Sequence, residues 1–226
     1  EQRGLPVRKD SFTVGANATV NAGGNAYEWI AFGNATSPVT GNGAADFMIG
    51  AHTGNGITAR VFDHMGIDPD MVTVKRTITT AALANWQSAT MAANTSGYFS
   101  ATADVVDGSI FQTLDSTGFT TGLGATINAA GGAYIWFAFK EGANFDVGSY
   151  TGDNTPGRDI TGLGFAPDWT WVKRSTAVRG VHRSTSSTIT GANAQHFLNV
   201  SNETNHITAF VADGFTVGNS TEVNAT

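Results

Sequence analysis

The sequence predicts an all-β chain of two tandem β-sandwich domains related by an internal repeat. Three observations carry this. Long stretches return at a fixed offset, apolar residues alternate with a period of two, and Gly-Asn, Asn-Gly and Asp-Gly pairs recur at short intervals. The segment Phe12–Asn21, with Gly23-Gly24 and Tyr27-Glu-Trp-Ile-Ala-Phe32 behind it, returns as Phe119–Asn128, Gly131-Gly132 and Tyr134-Ile-Trp-Phe-Ala-Phe139. Phe12 and Phe119 lie 107 residues apart, as do Tyr27 and Tyr134. A third copy starts at Phe215-Thr-Val-Gly218, reaches Val223-Asn224 and has no Tyr-x-Trp-x-Ala-Phe portion.

A second pattern alternates with the first. Thr53-Gly54 and Gly66-Ile-Asp-Pro-Asp-Met-Val-Thr-Val-Lys-Arg76 recur 98 residues later as Thr151-Gly152 and Gly164-Phe-Ala-Pro-Asp-Trp-Thr-Trp-Val-Lys-Arg174. These copies define three regions. Residues 1–45 are an N-terminal segment with an orphan back-half strand, 46–140 a complete sandwich, and 141–226 a sandwich lacking its last strand.

In chain order, the first predicted strand is the orphan, with Tyr27, Trp29, Ala31 and Phe32 as its assembly residues. Met71–Lys75 reads as a strand entered through Pro69, and Trp169–Lys173 as its counterpart entered through Pro167, because proline closes a turn and cannot donate to a ladder. Thr80 to Ala93 is alanine-rich without a 3.6-residue apolar stripe, so mostly loop or a short turn of helix is expected. In Ala133–Phe139, Tyr134, Trp136 and Ala138 share one face and Ile135, Phe137 and Phe139 the other, which predicts a central strand. Glu28 replaces Ile135 in the orphan copy, so that face is wetter there or Glu28 is paired. Asn55-Gly56, Asp107-Gly108 and Asp213-Gly214 supply turns between strands.

Composition narrows the function. Charged residues make up 13% of the chain and the net charge is -6, which argues against nucleic acid as a partner. No apolar run is long enough to span a membrane, and the absence of cysteine excludes disulfides and thiolate metal sites. A chain beginning at Glu1 is expected to be a processed product or a fragment. A glycosidase needs a carboxylate pair, but Glu1, Glu28, Glu141, Glu203 and Glu222 are scattered. Asp68 and Asp70 read as turn caps rather than calcium ligands. The five histidines show no metal-ligating spacing, so neither a metal nor another cofactor is expected. Lys75-Arg76 and Lys173-Arg174 read as solvated strand ends. Sequons occur at Asn17, Asn34, Asn94, Asn199, Asn202, Asn219 and Asn224, and would matter in a glycosylating compartment. Trp86, Trp169 and Trp171 are candidate glycan contacts, since flat amphipathic rings suit sugar faces.

The combination of Tyr150–Gly152, Gly162–Arg174, Asp213–Gly218, Val223-Asn224 and Gly131–Lys140 resembles an uncharacterised repeat of tailed-phage and prophage virion proteins. The resemblance implies sandwiches of the concanavalin or jelly-roll kind that build fibres, tails or capsid decorations, with no catalytic residues. The first copy departs from it with Met65-Gly66-Ile67 in place of Leu-Gly-Phe. The expected function is therefore a non-enzymatic structural subunit, in a virion or outside the cell, partnered by its own copies or by other virion or filament subunits. The incomplete sandwich would take up residues 11–32, within the chain or from a neighbour. The alternative is a lectin-like adhesion module for a surface glycan.

Overall fold

A computed structural model describes residues 13–23, 46–63, 65–77, 83–100, 102–185, 193–197 and 203–226. The chain divides into two compact units, Glu1–Ala31 and Phe32–Thr226. In the first, the described residues hold one short helix, α1 (Ala18–Asn21), closed by amides of Val20 and Asn21 on the Asn17 carbonyl. The orphan strand residues Tyr27, Trp29, Ala31 and Phe32 lie outside the described residues.

The second unit is all β. Its strands are β1 (Phe47–Thr53), β2 (Arg60–Phe62), β3 (Met71–Arg76), β4 (Asn85–Ser88), β5 (Thr95–Tyr98), β6 (Val105–Val106), β7 (Phe111–Asp115), β8 (Gly118–Thr121) and β9 (Ala133–Phe139). They continue with β10 (Arg158–Thr161), β11 (Trp169–Val172), β12 (Val181–Ser184), β13 (Asn193–His196), β14 (Glu203–Thr204), β15 (Ile207–Val211) and β16 (Gly214–Val217). Among the described residues no helix is long and apolar enough to cross a membrane.

All pairing in these sheets is antiparallel, and the sheets face each other around two apolar cores. The sheet β1-β9-β3-β4-β5-β6 opposes β2-β8-β7, with Val72, Val74, Phe111, Phe119, Ile127, Tyr134 and Ala138 between them. The sheet β11-β12-β13-β14 opposes β10-β16-β15, with Val181, Ala194, Ile207, Phe215, Val217 and Val223 between. The arrangement is sandwich-like, as the period-two alternation requires: each strand gives one face to a core about 10 Å thick. β9 is central, between β1 and β3, as its two apolar faces predict. Tyr134 and Ala138 enter the core, while on the outer face Phe47 stacks on Phe137 at 6.2 Å and packs on Phe139 at 5.0 Å.

Ladder registers match between the cores. Met71 pairs with Ser88 and Trp169 with Ser184; Asn85 pairs with Tyr98 and Val181 with His196. Both β7 and β15 carry an irregularity two residues long at corresponding places, Phe111/Thr113 and Ile207/Ala209. Loop contacts match too. Asn128 Oδ1 accepts from the Asn55 amide at 3.1 Å, and Asn224 Oδ1 from the Asp153 amide at 3.0 Å. Arg60 and Arg158 each donate to a threonine carbonyl, Thr53 and Thr151, at 2.6 Å.

One expectation is corrected. The alanine-rich stretch Thr80 to Ala93 contains strand β4, whose residues Asn85, Trp86, Gln87 and Ser88 are all buried. The period-two pattern was hidden because β4 is covered on both faces and so carries no polar alternation.

Candidate functional site

One difference between the two cores lies at a sheet edge. In the first, β9 lies between β1 and β3. In the second, the segment Phe145-Asp-Val-Gly-Ser-Tyr-Thr151 matches β1, with Phe145, Gly148 and Thr151 in the positions of Phe47, Gly50 and Thr53. Yet 146–151 has no strand pairing, and β11, the counterpart of β3, pairs on one side only, with β12. Both flanking elements are therefore present among the described residues without a strand to join them. A backbone edge of this kind carries unpaired N–H and C=O groups.

Two glycines mark the difference most sharply. A β-carbon built on Gly50 would come within 2.8 Å of three ring carbons of Trp136, so this glycine exists to admit the indole. At Gly148, no atom of the described residues lies within 4 Å of the same position. The rest of the segment is held in place. Tyr150 Oη donates to the Val223 carbonyl at 2.6 Å, as His52 Nε2 contacts the Ile127 carbonyl at 2.9 Å in the first core. Burial pushes the Tyr150 hydroxyl well above its ordinary value, against the nearby Arg158. It is thus a neutral donor at any physiological pH.

On the other flank, Lys173 follows β11. Its ammonium donates to the carbonyls of Arg174 and Thr176, the latter at 2.9 Å. Burial lowers its pKa while the charge of Asp104 raises it, and burial of Asp104 raises that carboxyl in turn. Arg174, and Arg76 at the matching place in the first core, each also donate to one carbonyl, of Thr221 at 3.4 Å and of Ala125 at 3.2 Å, at exposed positions.

The three tryptophans named as glycan contacts are found together in part. Trp86 is buried in β4, with its ring lying over Gly97. Trp171 meets it edge-on at 4.8 Å and stacks on Phe99 at 4.6 Å, with Phe197 edge-on at 6.0 Å. These rings form an aromatic seam between β4 and β11. Trp169 lies further along β11, 6.1 Å from the His182 ring. Asp68 pairs with Lys140 at 3.5 Å and Asp70 accepts from the Glu141 amide at 2.7 Å, so both carboxylates bridge to the segment after β9. The sequon residue Asn224 is buried, its amide donating to the carbonyls of Thr155 and Gly218, and so is no glycan acceptor in this fold.

Sequence reasoning missed one cluster. His196 and His206, read as isolated, converge in the second core on Glu222, read as one of the scattered glutamates. The three come from the end of β13, the residue before β15 and the turn after β16, ten and sixteen residues apart, so no short spacing could reveal them.

A family model described as Domain of unknown function (DUF7483) matches residues 140–226. No curated protein and no solved structure matches the chain.

Proposed function

We propose that residues 46–140 and 141–226 are two copies of one sandwich domain, and that the chain is a non-enzymatic structural subunit that assembles by strand donation. The setting that fits is a phage particle, as capsid decoration, tail or fibre, or a similar extracellular filament. The observation that carries this reading is the open position over Gly148, where the first core places Trp136. Tyr27-Glu-Trp-Ile-Ala-Phe32 has the pattern of β9, and its Trp29 stands where Trp136 stands. Entering between 145–151 and β11 of a neighbouring copy, it would pair both edges and bury its alternate side chains, the mode of β-strand addition. Charge agrees as well. Ile135 of β9 pairs with Lys75, so in the matching register Glu28 faces Lys173.

The chain has no cysteine, so an introduced pair reports cleanly. Ala51 pairs with Ile135, and the matching residues are Ser149 and Glu28. Oxidised Glu28→Cys/Ser149→Cys protein is expected to run as a covalent ladder on non-reducing gels, while Glu28→Cys with Asp153→Cys gives none. A cross-link confined to single chains would replace assembly by self-closure, and absence of any cross-link would remove the strand-donation reading.

A further inference from the structure

Glu222 is the focus of a buried group that the first core lacks. His196 Nε2 lies 2.8 Å and His206 Nε2 2.6 Å from the same oxygen, Oε2. The other oxygen, Oε1, accepts from Arg179 Nε at 2.7 Å, which turns the carboxylate so that Oε2 faces both imidazoles. The two histidine side chains are 0% and 1% exposed and that of Glu222 is 7% exposed. The backbone around them is fixed: the Gly218 amide donates to the His206 carbonyl, and the Glu222 amide contacts Ser220 Oγ at 3.3 Å.

The fold itself does not require these residues. By the matched registers, the first core has Tyr98 in place of His196, Ile110 in place of His206, Thr126 in place of Glu222 and Leu83 in place of Arg179. It closes an equivalent sandwich without an ionisable carboxyl or imidazole at any of them. With neutral imidazoles, Arg179, Glu222 and Glu203, which pairs with Arg179 at 3.5 Å, sum to one negative charge.

We propose that His196, His206 and Glu222 bind a divalent transition-metal ion of the zinc type, clamping the two sheets of the second core together. Two imidazoles and one carboxylate with a fourth position for water is a zinc-like donor set, and hard cations such as calcium and magnesium take oxygen ligands instead. The three ligand atoms lie within 4.8 Å of one another. Ligands about 2.0–2.1 Å from the ion stand roughly 3.4 Å apart in a tetrahedron, so the Nε2 to Oε2 separations must open by about half an ångström or slightly more. Binding places the metal on each Nε2 and moves each ring proton to Nδ1, with no net proton released. Arg179 is a positioning residue, holding the carboxylate through Oε1. β13 belongs to one sheet and β15 to the other, so the ion ties the two sheets of the second core together.

The test uses the full chain stripped with a chelator and titrated with Zn2+ and with Co2+. About one ion per chain is expected, with a tetrahedral cobalt absorption band and a higher melting temperature in the metal-loaded protein. Replacing the group by the residues of the first core, His196→Tyr/His206→Ile/Glu222→Thr, is expected to keep the β circular dichroism and abolish the band. Should that variant fail to fold, Glu222→Gln, which preserves the shape, is expected to lose the band. Arg179→Leu is expected to weaken Zn2+ binding roughly tenfold, and His52→Gln to leave it unchanged. No cobalt band in the unaltered chain, or a band that survives Glu222→Gln, would overturn the proposal.

Discussion

Trp136 lies across Gly50 on the adjoining strand, so closely that only hydrogen fits at that position. Gly50→Ala forces the indole or the β1–β9 ladder to shift. Overpacking of this kind costs about 1–3 kcal/mol, and a urea melt of the variant is expected to show a loss in that range. A melt superimposable on the unaltered protein would mean that the ring relaxes freely.

The register in the proposed donor complex sets Glu28 against Lys173. Glu28→Lys is expected to weaken self-association through like-charge repulsion, and Glu28→Lys/Lys173→Glu to recover part of it, with Asp104 beside Lys173 limiting the recovery. Sedimentation velocity at two salt concentrations measures this, since the effect should shrink at high salt. Equal association by the single and double variants would place these residues apart.

Tyr134 ties β9 to the loop before it. Its hydroxyl donates to the Ala125 carbonyl and accepts from the Ala129 amide, both at 2.9 Å. Tyr134→Phe leaves those groups without this partner, a loss of about 1–3 kcal/mol, to be read by denaturant unfolding.

His52 makes the first core acid-sensitive. Burial lowers its pKa, the bond to the Ile127 carbonyl raises it, and Arg60 lowers it again; the net shift is downward. A depressed histidine folds in its neutral form, so its contribution is complete above the ordinary value near pH 6.5 and is lost as the pH falls toward the folded-state value. Thermal melts between about pH 7 and 5 are expected to show a smaller loss of stability in His52→Gln than in the unaltered chain.

Glu222 behaves in a related way in the second core. Burial would push its carboxyl up, but bonds from His196, Arg179 and His206 outweigh that and hold it below the ordinary value. Its stabilising effect is therefore full above the ordinary glutamate range and disappears as the pH falls through the lowered value. Glu222→Gln is expected to flatten the acid limb of the melting curve in metal-free protein, with Arg179, Glu203 and the two imidazoles as the other groups facing the site.

Much of the architecture was legible because the physics was local. The two-sided apolar pattern of Tyr134 to Phe139 fixed β9 as central, and Pro69 and Pro167 marked where β3 and β11 begin. β4 was not legible, since three of its four residues, Asn85, Gln87 and Ser88, are polar yet buried. That 146–151 remains outside the sheets follows from pairing, a property no single segment carries. The Glu222 cluster was illegible for the same reason: its members meet only once β13, β15 and the turn after β16 are stacked.

Asn224 gives these observations a practical use. It is buried and pinned by the Asp153 and Asn154 amides, as Asn128 is pinned in the first core just ahead of Gly131-Gly132 and β9. A copy of Ala129–Phe139 appended behind Asn224 would start from the same anchorage. If the second core takes up a donated strand as proposed, this copy would fill the slot from within its own chain and is expected to suppress self-association, giving a form suited to crystallisation.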